Sequence, residues 1–541
     1  MVGLYLVFIV GLGLYLARRM ETTDDYFLAG RSLTWWLIGF SLLASNVSSS
    51  TLIGLSSAAF SSGISVYNYE WMAAFVLILF LVFLLPFYLK TRVFTLPEFL
   101  ERRFDARARY YLSALQILMN IAIDTAAALY AGALVVGIIY PEIPLWQSVL
   151  VLGMLAGLYT IAGGLKAVVY TDAVQAVLLL IGACLVAVLS FNAVGGDWAL
   201  IAASVPPEDL SIVRPATDPV LPWPGLITGV FLLGFYFWGM NQFMVQRALG
   251  AKSLDHGRWG ALFAGFLKLP LLFVLVLPGI FGRLLYPEAD YPELAANPDL
   301  LFPTLMFDLL PVGLRGLIIT ALLAAIMSSI DSILNAASTL VTMDFIKKLR
   351  PDAGNHELVV TGRIVTFVFM ALAIVWAPRI IEFPNIWTYL QQMLAYLAPP
   401  VVACFATGVF WKRANADGAF AALIAGHVAA AVIFGLAVSD TIIVQAQALT
   451  PGELARVAAG APVIHFLYIA PIVFVISLGT LVAVSLSTHA PDAKTISGLT
   501  WSFTMIADDS AELARQPWYL NYRYQAAVLL AAIAIIVATW W

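Results

Sequence analysis

The chain has 541 residues, of which 62% are hydrophobic and 11% are charged, and its mean hydropathy is +0.92. Soluble domains carry about 25% charged residues, so this composition excludes a soluble globular protein and indicates a polytopic membrane protein. The formal net charge of −4 favours no particular partner, and the two cysteines and five scattered histidines lack the spacing of a disulfide framework or a zinc site.

Charge and apolar runs divide the chain into about fourteen candidate spans, each close to the length that crosses roughly 30 Å of hydrocarbon. We therefore predict an all-α multi-pass protein of the plasma or inner membrane. Most of the 28 basic residues fall into one alternating set of connections, which predicts that these are cytoplasmic and that both termini lie outside. The predicted spans are 2–17, 34–60, 67–89, 108–139, 145–162, 172–195, 224–248, 259–281, 303–343, 358–379, 385–411, 416–438, 462–486 and 524–541.

Two of these spans contain residues that interrupt a membrane helix. The second reads SLLASNVSSSTLIGLSSAAFSSG, with serines and Asn46 near its middle, and the seventh reads GVFLLGFYFWGMNQFMVQ, with Gly234, Gly239 and Asn241. Discontinuous helices at corresponding positions of two halves are typical of inverted-repeat transporters, whose binding site lies at the bilayer midplane. Small residues that only allow close helix packing are the alternative. Two interruptions at matching positions favour the transporter.

The ninth span carries polar residues at membrane depth. In TALLAAIMSSIDSILNAASTLVTMD, one helical face holds Ser328, Ser332, Asn335 and Thr339. Asp331 lies one turn from Ser328 and joins this stripe. Such groups must face protein, a cavity or an ion, because the hydrocarbon offers no hydrogen bonds. A polar seam between packed helices explains the hydroxyl groups equally well, but the buried carboxylate favours a functional role.

Oxygen-bearing groups of this kind suit a sodium ion, since hard cations take oxygen ligands. Carbonyl groups freed where a helix unwinds, together with one or two hydroxyl groups, form such a site without a full buried charge. Ser328 and Ser329 with backbone oxygens near 44–47 of the second span would supply these ligands. Spacing alone does not establish that pairing.

Four further ionisable residues lie within or at the ends of predicted spans: Glu70, Asp124, Asp172 and Lys268. Glu70 and Asp172 fall near span ends, where an interfacial position is an equal alternative. Lys268, in LFAGFLKLPLLF, is flanked by apolar residues and should face a cavity or pair with a carboxylate.

Aromatic residues stand at the interruption of the seventh span. Phe237 and Trp238 are ordinary packing residues on one interpretation, but at a helix break they also offer a stacking platform for a ring with an apolar face. The chain shows no enzyme signature, because its glycine-rich runs lack the strand–loop–helix setting of a phosphate site and no nucleophile–base pair is visible.

Taken together, these segments resemble the sodium/solute symporter family, and most closely its sodium–glucose cotransporter branch. The resemblance follows the family order across nearly all of residues 20–420. The matching segments are DDYFLAGRSLTWWLIGFSLLASNVSSSTLIG, YEWMAA, LYTIAGGLKAVVYTDAVQ, FWGMNQFMVQRALGAKS, GFLKL, ALLAAIMSSIDSILNAASTLVTMDF, YLQQMLAYLAPPV and GVFWKRANADGA.

The resemblance implies a LeuT-type fold, in which two five-helix repeats have opposite orientations. The first repeat would be 34–195 and the second 224–411, with an outer loop at 196–223 between them. One extra helix and a linker would precede them in 1–33. Three extra helices would follow in 412–541, with a cytoplasmic loop near 487–523.

The resemblance also implies roles for individual residues. Asp172 matches an acidic residue on the inner ion path, and with Asp331 it is a candidate for a second ion or for that path. Carried over position by position, the main sodium site of the family falls on Ala44, Val47, Ala325, Ser328 and Ser329.

This chain matches the solute-contacting positions of the sodium–glucose cotransporter branch only in part. Glu70, Lys268 and Gln391 match as they stand, and a charged pair plus an amide suits a neutral polyol by offering fixed donors and acceptors. Thr51 stands where sugar carriers have Gln or His, and Phe237 replaces a tyrosine. Gly234 replaces a small polar residue, and Asp124 is not expected of the sugar branch. The predicted solute-binding residues are Asn46, Thr51, Glu70, Asp124, Phe237, Trp238, Lys268 and Gln391.

The function implied is Na⁺-coupled import of a small polyhydroxylated solute, a hexose such as glucose or galactose, by alternating access. Myo-inositol, an amino acid, a monocarboxylate or a sialic acid are alternative solutes, and a channel or solute sensor on the same fold is a further alternative. The expected partners are the solute, the sodium ion and the lipid bilayer. We expect no nucleic acid and no obligate protein partner.

Overall fold

The computed structural model describes residues 2–17, 22–382 and 386–541 of the chain and is dominated by helices. Two three-residue strands, β1 (Ile443–Gln445) and β2 (Val463–His465), pair in parallel and add a small element that the all-α prediction lacked. The helices are α1 (Val2–Ala17), α2 (Thr23–Leu28), α3 (Trp35–Asn46), α4 (Ser49–Ser62), α5 (Ile64–Thr91), α6 (Leu96–Arg103), α7 (Ala106–Gly137), α8 (Leu145–Gly157), α9 (Gly164–Ala193), α10 (Trp198–Ser204), α11 (Trp223–Gly239), α12 (Gln242–Leu249), α13 (Leu254–Leu285), α14 (Pro292–Ala296), α15 (Leu301–Leu309), α16 (Gly313–Leu349), α17 (Asn355–Ile380), α18 (Ile386–Phe410), α19 (Ala416–Val438), α20 (Pro451–Ala458), α21 (Phe466–Ser487), α22 (Ala493–Ile496), α23 (Phe503–Leu513) and α24 (Tyr522–Thr539).

Among the described residues, ten helices are long and apolar enough to cross a membrane, or twelve if each of two bent pairs is one span. The bent pairs are α3 with α4, at 59°, and α11 with α12, at 46°, which are the two spans whose sequences predicted an interruption. The shorter apolar helices α1 and α8 coincide with the predicted first and fifth spans. Length and composition therefore support ten to twelve spans among the described residues, and the total of fourteen stays a prediction.

Both interruptions are stabilised by side chains that cap the second helix of the pair. The hydroxyl oxygen of Ser48 accepts a hydrogen bond from the backbone N–H of Thr51 at 3.2 Å and so caps α4. The side-chain oxygen of Asn241 accepts one from the N–H of Phe243 at 3.3 Å and caps α12. A new helix therefore starts within the membrane while the last carbonyl groups of α3 and α11 are left without their usual partners.

The predicted ninth span, 303–343, was wrong at its first turns. Leu310 is extended, with φ −96° and ψ 131°, so that α15 ends before it and the next helix begins only after Pro311. Pro311 explains the boundary, because a proline disfavours the helical conformation of the residue before it.

The predicted sixth span, 172–195, began too late. The helix α9 starts at Gly164, where φ is +53° and a Cβ atom would lie 2.5 Å from the carbonyl oxygen of Tyr26, so only glycine fits. Asp172 is consequently two turns inside a membrane helix and fully buried. The side chain of Asp172 is therefore enclosed by protein and not exposed at a helix end.

Burial distinguishes central from peripheral helices. In the most apolar window of α16, 82% of the residues are buried inside the protein, against 22% for α19 and for α24. The helix with the polar stripe therefore lies at the centre of the bundle, while two of the C-terminal helices present most of their surface to lipid.

One carboxylate of the polar segment near 487–523 helps to pack this segment back onto the bundle. Asp509 accepts hydrogen bonds from Arg258 of α13 and from the hydroxyl group of Tyr522, each at 2.6 Å. Burial raises the pKa of Asp509, but these partners outweigh it and hold the pKa below its usual range. This contact ties the segment to the membrane helix α13.

Candidate functional site

A cavity of about 100 Å³ lies in the middle of the bundle, between the two interrupted helix pairs. Its walls come from α3, α4, α11 and α12 together with α5, α7, α13, α16 and α18. The structure brings together around it all of the predicted solute-binding residues, Asn46, Thr51, Glu70, Asp124, Phe237, Trp238, Lys268 and Gln391.

A buried ion pair forms one wall of the cavity. The ammonium nitrogen of Lys268 lies 2.5 Å from a carboxylate oxygen of Glu70, and both side chains are almost fully buried. Lys268 also donates a hydrogen bond to the side-chain oxygen of Asn46 at the break between α3 and α4. Its ammonium group lies 5.2 Å from the ring centroid of Trp238, within the range of a cation–π contact. Glu70 therefore neutralises Lys268, and the lysine joins three helices.

Aromatic rings line the cavity at the second interruption. The ring of Phe237 packs edge-on against Trp238 at 5.4 Å and against Phe243 at 5.5 Å between centroids. Phe243 belongs to α12, so this cluster spans the break between α11 and α12. The arrangement offers a flat apolar face to whatever the cavity holds.

A second cavity, of about 400 Å³, lies next to the first one and is lined by serines of α4. Tyr69 and Trp387 line both cavities, and their rings meet edge-on at 5.3 Å between centroids. Gln391 also borders both. Two rings from α5 and α18 therefore stand between the central cavity and its larger neighbour.

Several polar groups of the central cavity have no hydrogen-bond partner among the described residues. Among the residues that the structure describes, none donates a hydrogen bond to the carboxylate of Asp124, and none accepts one from the indole N–H of Trp387. Within the same described ranges, the amide of Gln391 makes no hydrogen bond either. Unpaired buried polar groups are costly, so groups that face a cavity in this state are available to a ligand.

The residues predicted to bind sodium converge beside this cavity. The hydroxyl group of Ser328 donates to the carbonyl oxygens of Ala44 and Ala325, each at 3.0 Å, and the hydroxyl group of Ser329 donates to that of Ala325 at 3.1 Å. Val47, at the break after α3, is fully buried as well. Ser328 thus links α16 directly to the interrupted end of α3.

The chemistry of this group fits a sodium ion. It contains carbonyl and hydroxyl oxygens, which are hard ligands, and no sulfur or imidazole. Ala44 lies in the last turn of α3, whose carbonyl dipoles favour a cation. Ser329 lines the central cavity, so an ion held here would lie at the edge of the solute space.

The candidates for a second ion or an ion path meet an arginine that the sequence analysis did not single out. The guanidinium group of Arg247 lies 3.6 Å from a carboxylate oxygen of Asp172 and donates hydrogen bonds to the hydroxyl groups of Ser41, at 2.7 Å, and Ser45. Ser41 in turn donates to Asp172 at 2.5 Å. The second carboxylate oxygen of Asp172 accepts no hydrogen bond from the described residues.

Asp331 belongs to the same region. It accepts a hydrogen bond from the hydroxyl group of Ser332 at 3.1 Å, and Ser332 lies 3.0 Å from the hydroxyl oxygen of Ser45. Ser332 also donates to the carbonyl oxygen of Ser328, which joins this region to the sodium-site residues.

A separate cluster of buried charges lies at the end of α16 for which the distribution of basic residues predicts a cytoplasmic position. Asp344 pairs with Arg109 at 2.6 Å, and its two oxygens also accept hydrogen bonds from Thr95 at 2.7 Å and from Ser113 at 2.6 Å. Arg109 makes a second ion pair with Glu101 at 2.5 Å. We call these residues the inner ion-pair cluster; together they join α6, α7 and α16.

Sequence reasoning missed Arg247, Tyr69 and Trp387. Arg247 is one of the basic residues for which the alternating connections predict a cytoplasmic position, but a carboxylate within a predicted span also requires a counter-charge, which is the signal that points to this arginine. Tyr69 and Trp387 carry no signal in one sequence, because an aromatic residue in a membrane helix is ordinarily a packing residue.

Comparison with known proteins identifies relatives along the whole chain. The profile of the sodium:solute symporter family matches residues 26–426. Sodium/glucose cotransporter 4 of Danio rerio is 36% identical, over 96% of this chain and 82% of that protein. Sodium/myo-inositol cotransporter 2 of Mus musculus is 37% identical, over 92% of this chain and 78% of that protein.

Solved structures share the fold. A substrate-bound, outward-open Na⁺-coupled sialic acid symporter superposes with a TM-score of 0.75 at 24% identity, over 91% of this chain and 98% of that one. Mhp1, a nucleobase-cation-symport-1 family transporter, gives a TM-score of 0.58 at 12% identity, over 88% and 98% of the two chains. Identities this low bear on the fold alone, which is that of the LeuT-type transporters.

Proposed function

Because the chain belongs to the sodium:solute symporter family, with sodium as the coupling ion, we propose that it imports a small neutral polyol together with Na⁺ by alternating access. A hexose such as glucose or galactose is the first candidate, and myo-inositol is the second. The names of the relatives favour both solutes, since they include sodium/glucose and sodium/myo-inositol cotransporters.

The observation that carries this proposal is the contact between Lys268 and Glu70. An amino acid, a monocarboxylate or a sialic acid would need a free cation or a helix N-terminus to receive its carboxylate. Lys268 is the one cation among the described lining residues, and Glu70 already neutralises it at 2.5 Å. The neutral character of this pair argues for a solute without a negative charge.

The unpaired groups of the cavity suit hydroxyl groups. The indole N–H of Trp387 can donate, the amide of Gln391 can donate and accept, and Asp124 can accept. The ring of Phe237 would cover the apolar face of a hexose or an inositol, as in many sites that combine an aromatic platform with a few polar groups. Thr51, whose hydroxyl group donates to the backbone oxygen of Asn46 at 2.7 Å, supports the break between α3 and α4.

Coupling in this proposal follows from the sodium ligands Ala44, Val47, Ala325, Ser328 and Ser329. An ion bound by α3 and α16 at once stabilises the arrangement in which these helices are in contact, and the same arrangement forms the cavity wall at Asn46 and Ser329. Sodium then raises the affinity for the solute and the solute raises the affinity for sodium by the same factor, because binding free energies are linked reciprocally.

Asp172 and Asp331 have a different part in the proposal. The guanidinium group of Arg247 already lies 3.6 Å from the carboxylate of Asp172. A second cation bound at Asp172 would therefore be repelled by the positive charge of Arg247. We therefore assign Asp172 and Asp331 to the path by which Na⁺ leaves for the cytoplasm. The free oxygen of Asp172 is the natural transient ligand on that path.

The architecture that goes with this function is the one implied by the family. Two inverted five-helix repeats, 34–195 and 224–411, would each contribute one interrupted helix to the site, and about fourteen helices would cross the plasma or inner membrane. Both termini would lie outside. The two bent pairs and the concentration of basic residues in alternating connections support this arrangement.

Uptake into proteoliposomes tests the function directly. Radiolabelled glucose, galactose and myo-inositol are each offered with an inward Na⁺ gradient, and with K⁺ and H⁺ gradients as controls. We expect accumulation of at least one of them with Na⁺ only, and no inhibition by excess alanine, lactate or sialic acid. Na⁺-driven uptake of one of those carboxylates, or uptake that needs no Na⁺, would contradict the proposal.

A further inference from the structure

The charges that line the central cavity do not balance. Among the described residues, the charged side chains of its wall are Glu70, Lys268 and Asp124. Glu70 and Lys268 neutralise each other at 2.5 Å. Asp124 is left as a carboxylate without a counter-charge, and none of the described residues donates a hydrogen bond to it.

The position of Asp124 is a built feature of α7. Residues Asn120–Thr125 form a π-helical turn, in which one extra residue redirects the side chains, and such turns are frequent at functional sites. The hydroxyl group of Thr125 donates to the carbonyl oxygen of Asn120 at 2.7 Å and satisfies the turn internally. The carboxylate of Asp124 is therefore not needed to complete the turn and is presented to the cavity.

The surroundings of the cavity do not provide the missing positive charge. In the neighbouring buried region, the guanidinium group of Arg247 lies 3.6 Å from Asp172 and donates hydrogen bonds to Ser41 and Ser45, so its charge is already engaged. A Na⁺ bound beside Ser329 would be held by the ligands proposed for it, and Asp124 is not one of them. A further positive charge on the solute would meet a favourable field in this site, whereas a negative one would not.

We propose that Asp124 is the counter-ion for a protonated amine, and that the transporter therefore also carries cationic amino polyols, such as an amino sugar or an aminocyclitol with one ammonium group. This inference rests on the proposed function, since it places the same polyol ring in the same cavity. An ammonium group in place of one hydroxyl group would donate to Asp124 a charge-assisted hydrogen bond, which is shorter and stronger than the neutral one.

Transport of such a solute would move one more positive charge for each molecule than transport of its neutral parent. Proteoliposomes that report current and radiolabel uptake together therefore provide a direct measurement. We expect the charge moved per solute to rise by one when 2-amino-2-deoxyglucose, 6-amino-6-deoxyglucose or amino-deoxyinositol replaces its neutral parent, at a pH at which the amine is protonated.

The role of Asp124 is tested by the ratio of two affinities on purified protein. The affinities of each amino polyol and of its neutral parent are measured in Na⁺ for the native chain and for Asp124→Asn. We expect at least one amino isomer to bind the native protein no more weakly than its parent. The affinity for this amino isomer divided by the affinity for its parent should fall by about tenfold or more in the variant, as when one partner of a desolvated charge pair is removed. The matched control is Asp308→Asn, because Asp308 accepts from Tyr286 at 2.9 Å outside the cavity and its loss should leave the ratio unchanged.

The two proposals fail in different ways. If neutral polyols neither bind nor accumulate, the proposed function is wrong. If they do but no amino isomer binds, or if the ratio of affinities is the same in Asp124→Asn as in the native chain, the inference about Asp124 is wrong and the proposed function stands. If only the amino isomers bind, the role of Asp124 as a counter-ion stands and the proposal that neutral polyols are transported is wrong.

Discussion

Two regions of this protein bury charged side chains at membrane depth or close to it, and they differ in how completely those charges are satisfied. In the inner ion-pair cluster, both carboxylate oxygens of Asp344 accept hydrogen bonds, from Arg109, Thr95 and Ser113. In the central cavity, Asp124 accepts none from the described residues, and the indole N–H of Trp387 finds no acceptor there. Asp344 is fully buried, whereas Asp124 and Trp387 are partly exposed to the cavity, so the two regions differ in exposure as well as in hydrogen bonding.

The difference separates structural charges from those available to a ligand. A saturated group such as Asp344 has its desolvation cost offset by its neighbours and would lose that compensation if the contact opened. The desolvation cost of a carboxylate without hydrogen-bond donors, such as that of Asp124, is not offset until a ligand enters the cavity. Substitutions in the two regions should therefore change different measured quantities, stability in the first and affinity in the second.

The largest effect is expected from Asp344→Ala. Removal of one partner of a buried pair costs about 3–5 kcal/mol, and Glu101 still holds Arg109, so we expect the lower end of that range. The measurement is the apparent melting temperature of the purified protein, which should fall clearly. Asp124→Ala is the matched variant, and it should lower the melting temperature far less because it removes no hydrogen bond or ion pair among the described residues. Equal losses in the two variants would remove the distinction between the regions.

A smaller and more selective effect is expected from Ser329→Ala. Loss of one hydroxyl ligand to a cation costs about 1.5–3 kcal/mol, which corresponds to at least a tenfold rise in the Na⁺ concentration that half-activates uptake. The preference among solutes should change little. Ser338→Ala on the same helix is the control, because the hydroxyl group of Ser338 donates to the carbonyl oxygen of Gly362 at 2.7 Å, away from the cavity. Unchanged Na⁺ activation in Ser329→Ala would show that the sodium ligands were assigned wrongly.

The smallest effect is expected from Trp387→Phe, which removes the unpaired N–H and retains an aromatic ring against Tyr69. One hydrogen bond to the solute is worth about 1 kcal/mol, so we expect KM for the solute to rise about fivefold with little change in melting temperature. Trp71→Phe provides the contrast. The N–H of Trp71 donates to Asn68 at 2.7 Å, so this variant should lower stability rather than affinity. A reversed pattern in the two tryptophan variants would contradict the assignment of Trp387 to the cavity.

Much of the fold was predictable because membrane helices are specified locally. A run of apolar residues long enough to cross the bilayer must form its hydrogen bonds within itself, so length and composition determine where most helices lie. The interruptions in α3–α4 and α11–α12 were predictable for the same reason, since serine, glycine and asparagine in an apolar run weaken the helix at that point. The apolar run 303–343 does not reveal the start of α16, because Pro311 keeps Leu310 extended without interrupting the hydrophobic pattern.

What the sequence by itself determined is a helical membrane protein with two broken helices, a polar stripe at the centre of α16 and a small set of intramembrane charges. The tertiary structure alone decided how these charges are paired. Glu70 and Lys268 are 198 residues apart in the chain, and Asp172 and Arg247 lie on separate helices. Helical spacing relates residues only within one element, whereas the partner of a buried charge is set by the packing of distant helices. For that reason Lys268 and Asp124 could be named from the sequence, but only the packed bundle distinguishes the neutralised charge from the free one.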